Sequence, residues 1–105
     1  MNMNKIEEKN VLLRGQEAAR ILESDVFKLA IETLKKSVNE QWKNCPIRDK
    51  EGQLLLLQLA KVTDKFEGIF VGLVEQGKMV QHKIDLDAAR DEPQPRRFMR
   101  KIFNG

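Results

Sequence analysis

Few residues of this chain combine a reactive side chain with a spacing that catalysis would use. The 105 residues include one His, one Cys and no Tyr. His82 stands in a polar segment without a nucleophile placed for it, which is typical of a surface residue. Cys45 lies near Lys43 and Arg48, so it is either a thiolate stabilised by these cations or a small half-buried core residue. We therefore predict no catalytic residue and no enzymatic activity.

The acidic residues near the end of the chain do not make a recognisable metal site. Asp85, Asp87 and Asp91 are close in sequence, but the segment lacks the Gly and the terminal Glu of an EF-hand loop. One Cys and one His exclude a disulfide framework, a Cys/His zinc site and a haem attachment motif. No Gly-rich phosphate-binding loop is present. The sequence therefore predicts no cofactor and no metal.

The C-terminal decapeptide is the most unusual segment of the sequence. Residues 93–105 contain four cations and no acid, so they carry +4 while the whole chain carries +3, and the other 92 residues carry −1. Pairs of basic and apolar residues alternate, which would segregate them on a helix. We interpret residues 96–105 as a basic amphipathic docking tail, with these contact residues: Arg96, Arg97, Phe98, Arg100, Lys101, Ile102 and Phe103.

Four interpretations of that tail remain open. In the interpretation that we favour, the apolar residues bind in a groove of a partner protein and the arginines contact its acidic rim. If the partner is nucleic acid, the cations contact phosphates and the affinity falls strongly with salt. A membrane surface would use both faces, and the last alternative is a tail that packs on its own chain or has no role.

Two long stretches between the prolines have helical periodicity. In residues 25–44 the apolar positions recur every three or four residues and end at Trp42, which we interpret as a core anchor. Ser24 or Asp25 is the predicted N-cap, and Pro46 ends the segment because the residue before a proline disfavours the α region. The predicted helix therefore spans about 25–44.

The next helix is predicted at about 50–78, with Asp49 as N-cap and Gly77 as C-cap. Six of its apolar residues follow a heptad-like spacing: Leu55, Leu59, Val62, Phe66, Ile69 and Leu73. A second apolar set lies beside them: Leu56, Ala60, Phe70 and Val74. This stripe is wider than one antiparallel partner helix covers, so we predict that the six residues form a face for self-association or for a partner protein. The alternative is a monomer in which residues 1–22 cover the stripe.

These segments predict an all-α fold, an antiparallel helical hairpin preceded by a short helix that begins near Gln16. The expected division is a polar N-terminal arm at 1–14, a helical domain at 15–79, a linker at 80–95 and the tail. No window holds the roughly 18 apolar residues of a membrane span. The first ten residues lack the apolar region of a signal peptide, so we expect a protein that is not secreted.

One group of proteins resembles this chain over about residues 18–79. The residues that carry the resemblance are spaced singly along the sequence: Ala19, Leu22, Phe27, Ala30, Leu34, Trp42, Asp49, Glu51, Gly77 and Lys78. They resemble short helical proteins that tailed bacteriophages and prophages encode among their virion-assembly and DNA-packaging genes. The resemblance implies a location in the host cytoplasm or the virion, and it transfers no catalytic residue.

The sequence thus predicts a non-enzymatic phage-type assembly or minor virion protein, acting as a helical oligomer or adaptor. Its partners would be copies of itself and a larger virion component, with nucleic acid as the alternative partner of the tail. Two alternatives remain. One is a DNA-binding packaging subunit similar to a small terminase, although no basic recognition helix is visible. The other is a small inhibitor of a host protein.

Overall fold

The computed structural model describes residues 3–90, which form three helices in sequence order. They are α1 (Lys5–Glu23), α2 (Asp25–Asn44) and α3 (Lys50–Arg90). Between residues 3 and 90 there is no strand. The predicted all-α class is confirmed, and α2 begins and ends where the sequence indicated.

Each helix begins at a side chain that accepts a hydrogen bond from the first turn. Asn4 Oδ1 accepts from the backbone N–H of Glu7 at 2.8 Å, and Asp49 Oδ1 accepts from Gly52 at 2.9 Å. Ser24 Oγ caps α2 by accepting a longer hydrogen bond, 3.4 Å, from the backbone N–H of Phe27. The extended backbone of Ser24 separates α1 from α2. These caps satisfy backbone N–H groups that have no partner within the helix.

The chain folds into one elongated hairpin in which α1 and α2 follow each other along α3, antiparallel to it. At about 1.5 Å per residue, α3 is about 60 Å long, and α1 and α2 together are of similar length. Paired contacts set the register from the open end to the turn: Glu8 with Lys83, Gly15 with Gly77, Phe27 with Phe70, Lys35 with Glu67, and Cys45 with Asp49.

A row of small or apolar residues on α3 forms the contact line of the hairpin. Thr63 and Gly77 are buried, and the others are half-buried: Leu56, Ala60, Phe70 and Val74. The Thr63 hydroxyl donates to the Leu59 carbonyl at 2.8 Å, so it enters the core with its hydrogen bond satisfied. The contact line includes the whole second apolar set of the sequence. Each residue of that set follows one of the six predicted face residues by one position.

Helix α1 approaches α3 most closely where two glycines meet. A Cβ atom on Gly15 would lie 2.9 Å from Gly77 Cα and 2.9 Å from the Leu73 carbonyl oxygen. These are backbone atoms, which cannot move aside as a flexible side chain can. The two glycines therefore set how near the helices pack, with Ala18 buried one turn later.

Three boundaries predicted from the sequence were wrong. Most of the expected 1–14 arm lies in α1, whose Val11 and Leu12 pack half-buried. The short helix expected from about Gln16 is thus the second half of a 19-residue helix. Gly77 does not end α3, because no glycine of residues 3–90 has the positive φ of a C-cap, and α3 continues through the expected linker to Arg90.

The core between these helices is thin. Within residues 3–90 the buried hydrophobic residues are Ala18, Ile31, Val38 and Val80. Trp42 is 45% exposed, so the prediction that it anchors the core was wrong. It lies near the turn, where α2 and α3 provide too little surface to enclose an indole. The hairpin buries one line of contacts and leaves its flanks to solvent.

We expect Gly15→Ala to destabilise the hairpin by about 1–3 kcal/mol, because its Cβ meets backbone atoms of α3. The matched control is Gly68→Ala in α3, where a Cβ meets nothing within 4 Å. This control should stabilise by about 0.5–1 kcal/mol, because alanine lowers the entropy lost on helix formation. Urea unfolding followed by far-UV circular dichroism at fixed protein concentration measures both. Equal effects of the two substitutions would contradict the close approach.

Candidate association surface

The six residues predicted as an association face lie on the solvent side of the hairpin's contact line. Five of them are exposed: Leu55 (65%), Leu59 (40%), Val62 (61%), Phe66 (48%) and Ile69 (55%). Leu73 is half-buried, where α1 begins to cover α3. Large side chains of this kind, exposed in one continuous row, are unusual on a monomeric protein.

The position of this row follows from its register on α3. Five of the six residues precede a contact-line position by one, as Leu55 precedes Leu56 and Val62 precedes Thr63. One residue is a rotation of about 100° around a helix. The row therefore runs parallel to the contact line and beside it, where the antiparallel partner helix does not reach.

Helix α2 extends the same surface through Phe27. Its ring lies 6.4 Å from the ring of Phe66 and 5.0 Å from the ring of Phe70, both measured between centroids. Leu34 follows Phe27 by two turns on that side of α2 and is 39% exposed, and Val26 beside Phe27 is 77% exposed. We call the following residues the apolar face: Val26, Phe27, Leu34, Leu55, Leu59, Val62, Phe66 and Ile69.

The two flanks of the hairpin differ in charge. Opposite the apolar face, Lys35 Nζ pairs with Glu67 Oε1 at 2.8 Å. This hydrogen bond raises the pKa of Lys35 above its ordinary value. On the other flank, the remaining α2 positions at helical spacing are also uncharged, namely Ala30, Ser37 and Gln41. In the α2 half, one flank thus carries the Lys35–Glu67 pair, while these α2 positions on the other flank carry no charge.

The turn end of the hairpin is also apolar. Ile47 is 87% exposed, and Trp42, Leu54 and Leu57 are exposed beside it. Four successive leucines at 54–57 point to different sides of α3, so one antiparallel helix contacts only part of them. The apolar face and this tip adjoin, and both lie on the half of the hairpin that contains α2.

The open end of the hairpin is charged instead. Lys83 Nζ lies 2.6 Å from Glu8 Oε1, and this hydrogen bond raises the pKa of Lys83. A groove of about 510 Å³ runs between the ends of α1 and α3, lined by charged residues and by Leu12 and Ile84. The lining residues include no Ser, Thr, Cys or His, and both of their carboxylates hold a cation, Glu8 pairing with Lys83 and Asp87 with Arg90.

The other candidates from the sequence fall at separate places. His82 is exposed on α3. Asp85 accepts a hydrogen bond from Gln81, and no group of side chains in residues 3–90 is arranged to hold a metal ion. The same residues contain no helix with the length and hydrophobicity of a membrane span. Asp91 and the docking tail at 96–105 lie outside the described residues.

Cys45 lies at the turn and is not an activated thiolate. Its Sγ is 3.8 Å from the Asp49 carbonyl oxygen and 3.9 Å from Asp49 Oδ2, within hydrogen-bonding range for sulfur. Desolvation and the negative charge of Asp49 both raise the pKa of the thiol. Of the two interpretations of Cys45 that the sequence left open, a stabilised thiolate or a half-buried residue, the structure supports the half-buried residue.

Sequence reasoning missed the α2 part of the apolar face. The spacing places Phe27 and Leu34 on one apolar face of α2 together with Ile31 and Val38, but only Ile31 and Val38 are buried. The available signal was the run of uncharged residues at helical spacing from Val26 to Gln41, which is broader than a single helix contact requires.

We expect the pH at which Cys45 becomes half-alkylated by iodoacetamide to be higher in the folded chain than in the chain unfolded by urea. The folded thiol has the raised pKa, so less thiolate is present at a given pH. Mass spectrometry of the alkylated product as a function of pH measures both states. Equal midpoints, or a lower midpoint in the folded chain, would contradict the contact with Asp49.

Comparison with known proteins gives no match to this chain, whether with family models, curated proteins or solved structures.

Proposed function

We propose that this chain is a non-enzymatic helical adaptor that works by binding other proteins. The observation that carries the proposal is the exposed apolar face on the α2 half of the hairpin. Covering apolar surface stabilises by about 25 cal/mol per Å², so a face of this kind favours a bound protein over water. Large exposed patches on soluble proteins commonly mark such interaction sites.

The setting that we propose is the assembly of a phage particle, in the host cytoplasm or in the virion. This setting rests on the resemblance of residues 18–79 to short phage proteins. In it, the apolar face associates with a copy of the chain or with a larger virion component. The basic tail engages a second partner, because its four cations are separate from a nearly neutral body.

A DNA-binding packaging subunit is a weaker proposal for the described residues. Helix α2 contains four lysines, but Glu32 and Glu40 lie among them and Lys35 is paired with Glu67. A helix that reads DNA presents unpaired cations and polar groups on one face. This leaves the tail as the DNA-binding element of the alternative.

The proposal is tested by gradient fractionation of lysates from cells that produce the phage or prophage encoding the chain. We expect a tagged chain to sediment with particles or assembly intermediates. Replacing Arg96, Arg97, Arg100 and Lys101 by alanine should move most of it to the unassembled fraction, because the second contact is lost. The control is Lys78→Ala, which removes one exposed cation from α3.

Recovery of the chain only in the unassembled fraction would contradict the assembly proposal. The same variants decide between protein and DNA as the partner of the tail. Binding to duplex DNA that falls steeply with salt, and disappears in the tail variant, would favour the packaging alternative.

A further inference from the structure

We propose that the apolar face is covered by the same face of a second copy, which gives a four-helix bundle of two hairpins. This inference rests on the proposed function and names the first partner of that surface. A two-helix layer buries one side of each helix, and a second such layer covers the remaining apolar side. Helical hairpins that pair in this way are a known route to four-helix bundles.

The geometry of the face fits a helical partner. The α3 residues of the face have the spacing of four and three residues that packs side chains between those of another helix. Phe27 and Leu34 form a second apolar row on α2, and the contact of Phe27 with Phe66 joins the two rows. A surface of two adjacent helical rows is complementary to another surface built in the same way.

The size of the face limits the strength of the dimer. From Leu55 to Ile69 the row on α3 is about 21 Å long. Two helices with axes about 8–10 Å apart present a width of about 20 Å. The footprint is therefore roughly 400 Å² on each copy, or about 800 Å² for the pair, which is the size of a small interface, so we expect a weak pair.

The charge distribution favours an identical partner. The residues of the face carry no charge, and neither does Ala30, which lies at helical spacing between Val26 and Leu34, although a third of the chain is charged. Two identical faces therefore meet without like-charge repulsion, and no charged partner gains a complementary contact there. The Lys35–Glu67 pair lies on the opposite flank and stays in water.

The chain's own C-terminal segment fits this face less well. It follows Arg90, which is about 30 Å along α3 from Ile69 and about 50 Å from Leu55. Its 15 residues reach at most about 50 Å when fully extended. It would also set four cations against a face that offers them no acid.

Light scattering on the full chain tests the proposal with a matched pair of variants. Val62→Glu places a carboxylate within the face. Val71→Glu makes the same change nine residues later, which is two and a half turns and therefore the opposite side of α3. Both valines are exposed, at 61% and 47%.

We expect the wild-type chain to approach twice its 12.2 kDa mass at submillimolar concentration. Val62→Glu should weaken the pair on the order of 100-fold, because it buries an unpaired carboxylate, and Val71→Glu should leave it unchanged. Far-UV circular dichroism establishes that each variant is folded. If Val62→Glu fails to fold, Ile69→Glu, at another position on the face, replaces it.

Several results would overturn the inference. These are a monomeric wild-type chain, equal effects of Val62→Glu and Val71→Glu, or a larger assembly that Val62→Glu breaks apart. A chain that pairs only after residues 91–105 are removed would show that this segment covers the face.

The adaptor proposal is judged separately, by whether Val62→Glu and Val71→Glu differ in particle association. A monomeric chain whose association with particles still needs Val62 would refute the dimer and keep the adaptor.

Discussion

Helix α3 carries two parallel heptad rows of apolar residues, and its own chain has one layer of helix with which to cover them. The row at Leu56, Thr63 and Phe70 meets α1 and α2, while the row at Leu55, Val62 and Ile69 remains in water. Because a helix has room for several neighbours but the hairpin of residues 3–90 supplies one, the second row stays exposed there, and we propose that it makes contacts between chains. The thin core and the exposed leucines both follow from this constraint.

The two halves of the hairpin meet this constraint differently. In the α1 half, Gly15 and Gly77 bring the backbones together, and Glu8 and Lys83 close the end with an ion pair. In the α2 half, bulky rings such as Phe27 and Phe70 fill the space between the helices and remain partly exposed. The break at Ser24 separates the two modes of packing. The α1 half thus brings its backbones close together, although Ile6, Leu13, Met79 and Leu86 stay exposed there. The α2 half presents the continuous row that we propose for association.

The sequence was sufficient where a local signal decides the structure. Ser24 and Pro46 bound α2 correctly, and Asp49 caps α3, because capping and proline effects act within a few residues. Gly77 misled the prediction because a glycine serves both as a C-cap and as a point of close approach. Its partner Gly15 is 62 residues away, so only the folded chain shows which role applies. The apolar rows were equally ambiguous, since the same spacing starts at Leu55 and at Leu56.

The length of α3 separates the two binding elements of the proposed adaptor. By continuing to Arg90, the helix carries the start of the C-terminal segment about 30 Å beyond Ile69, past the end of the apolar face. Had α3 ended at Gly77, the segment would begin within about 12 Å of that face and a partner held there would obstruct the second copy. The charges follow the same division, since the apolar face has none and the ion pair of Glu8 lies toward Arg90. In the proposed adaptor, pairing uses the α2 half of the hairpin and docking starts from the Arg90 end of α3, so the two contacts begin at different places along one helix.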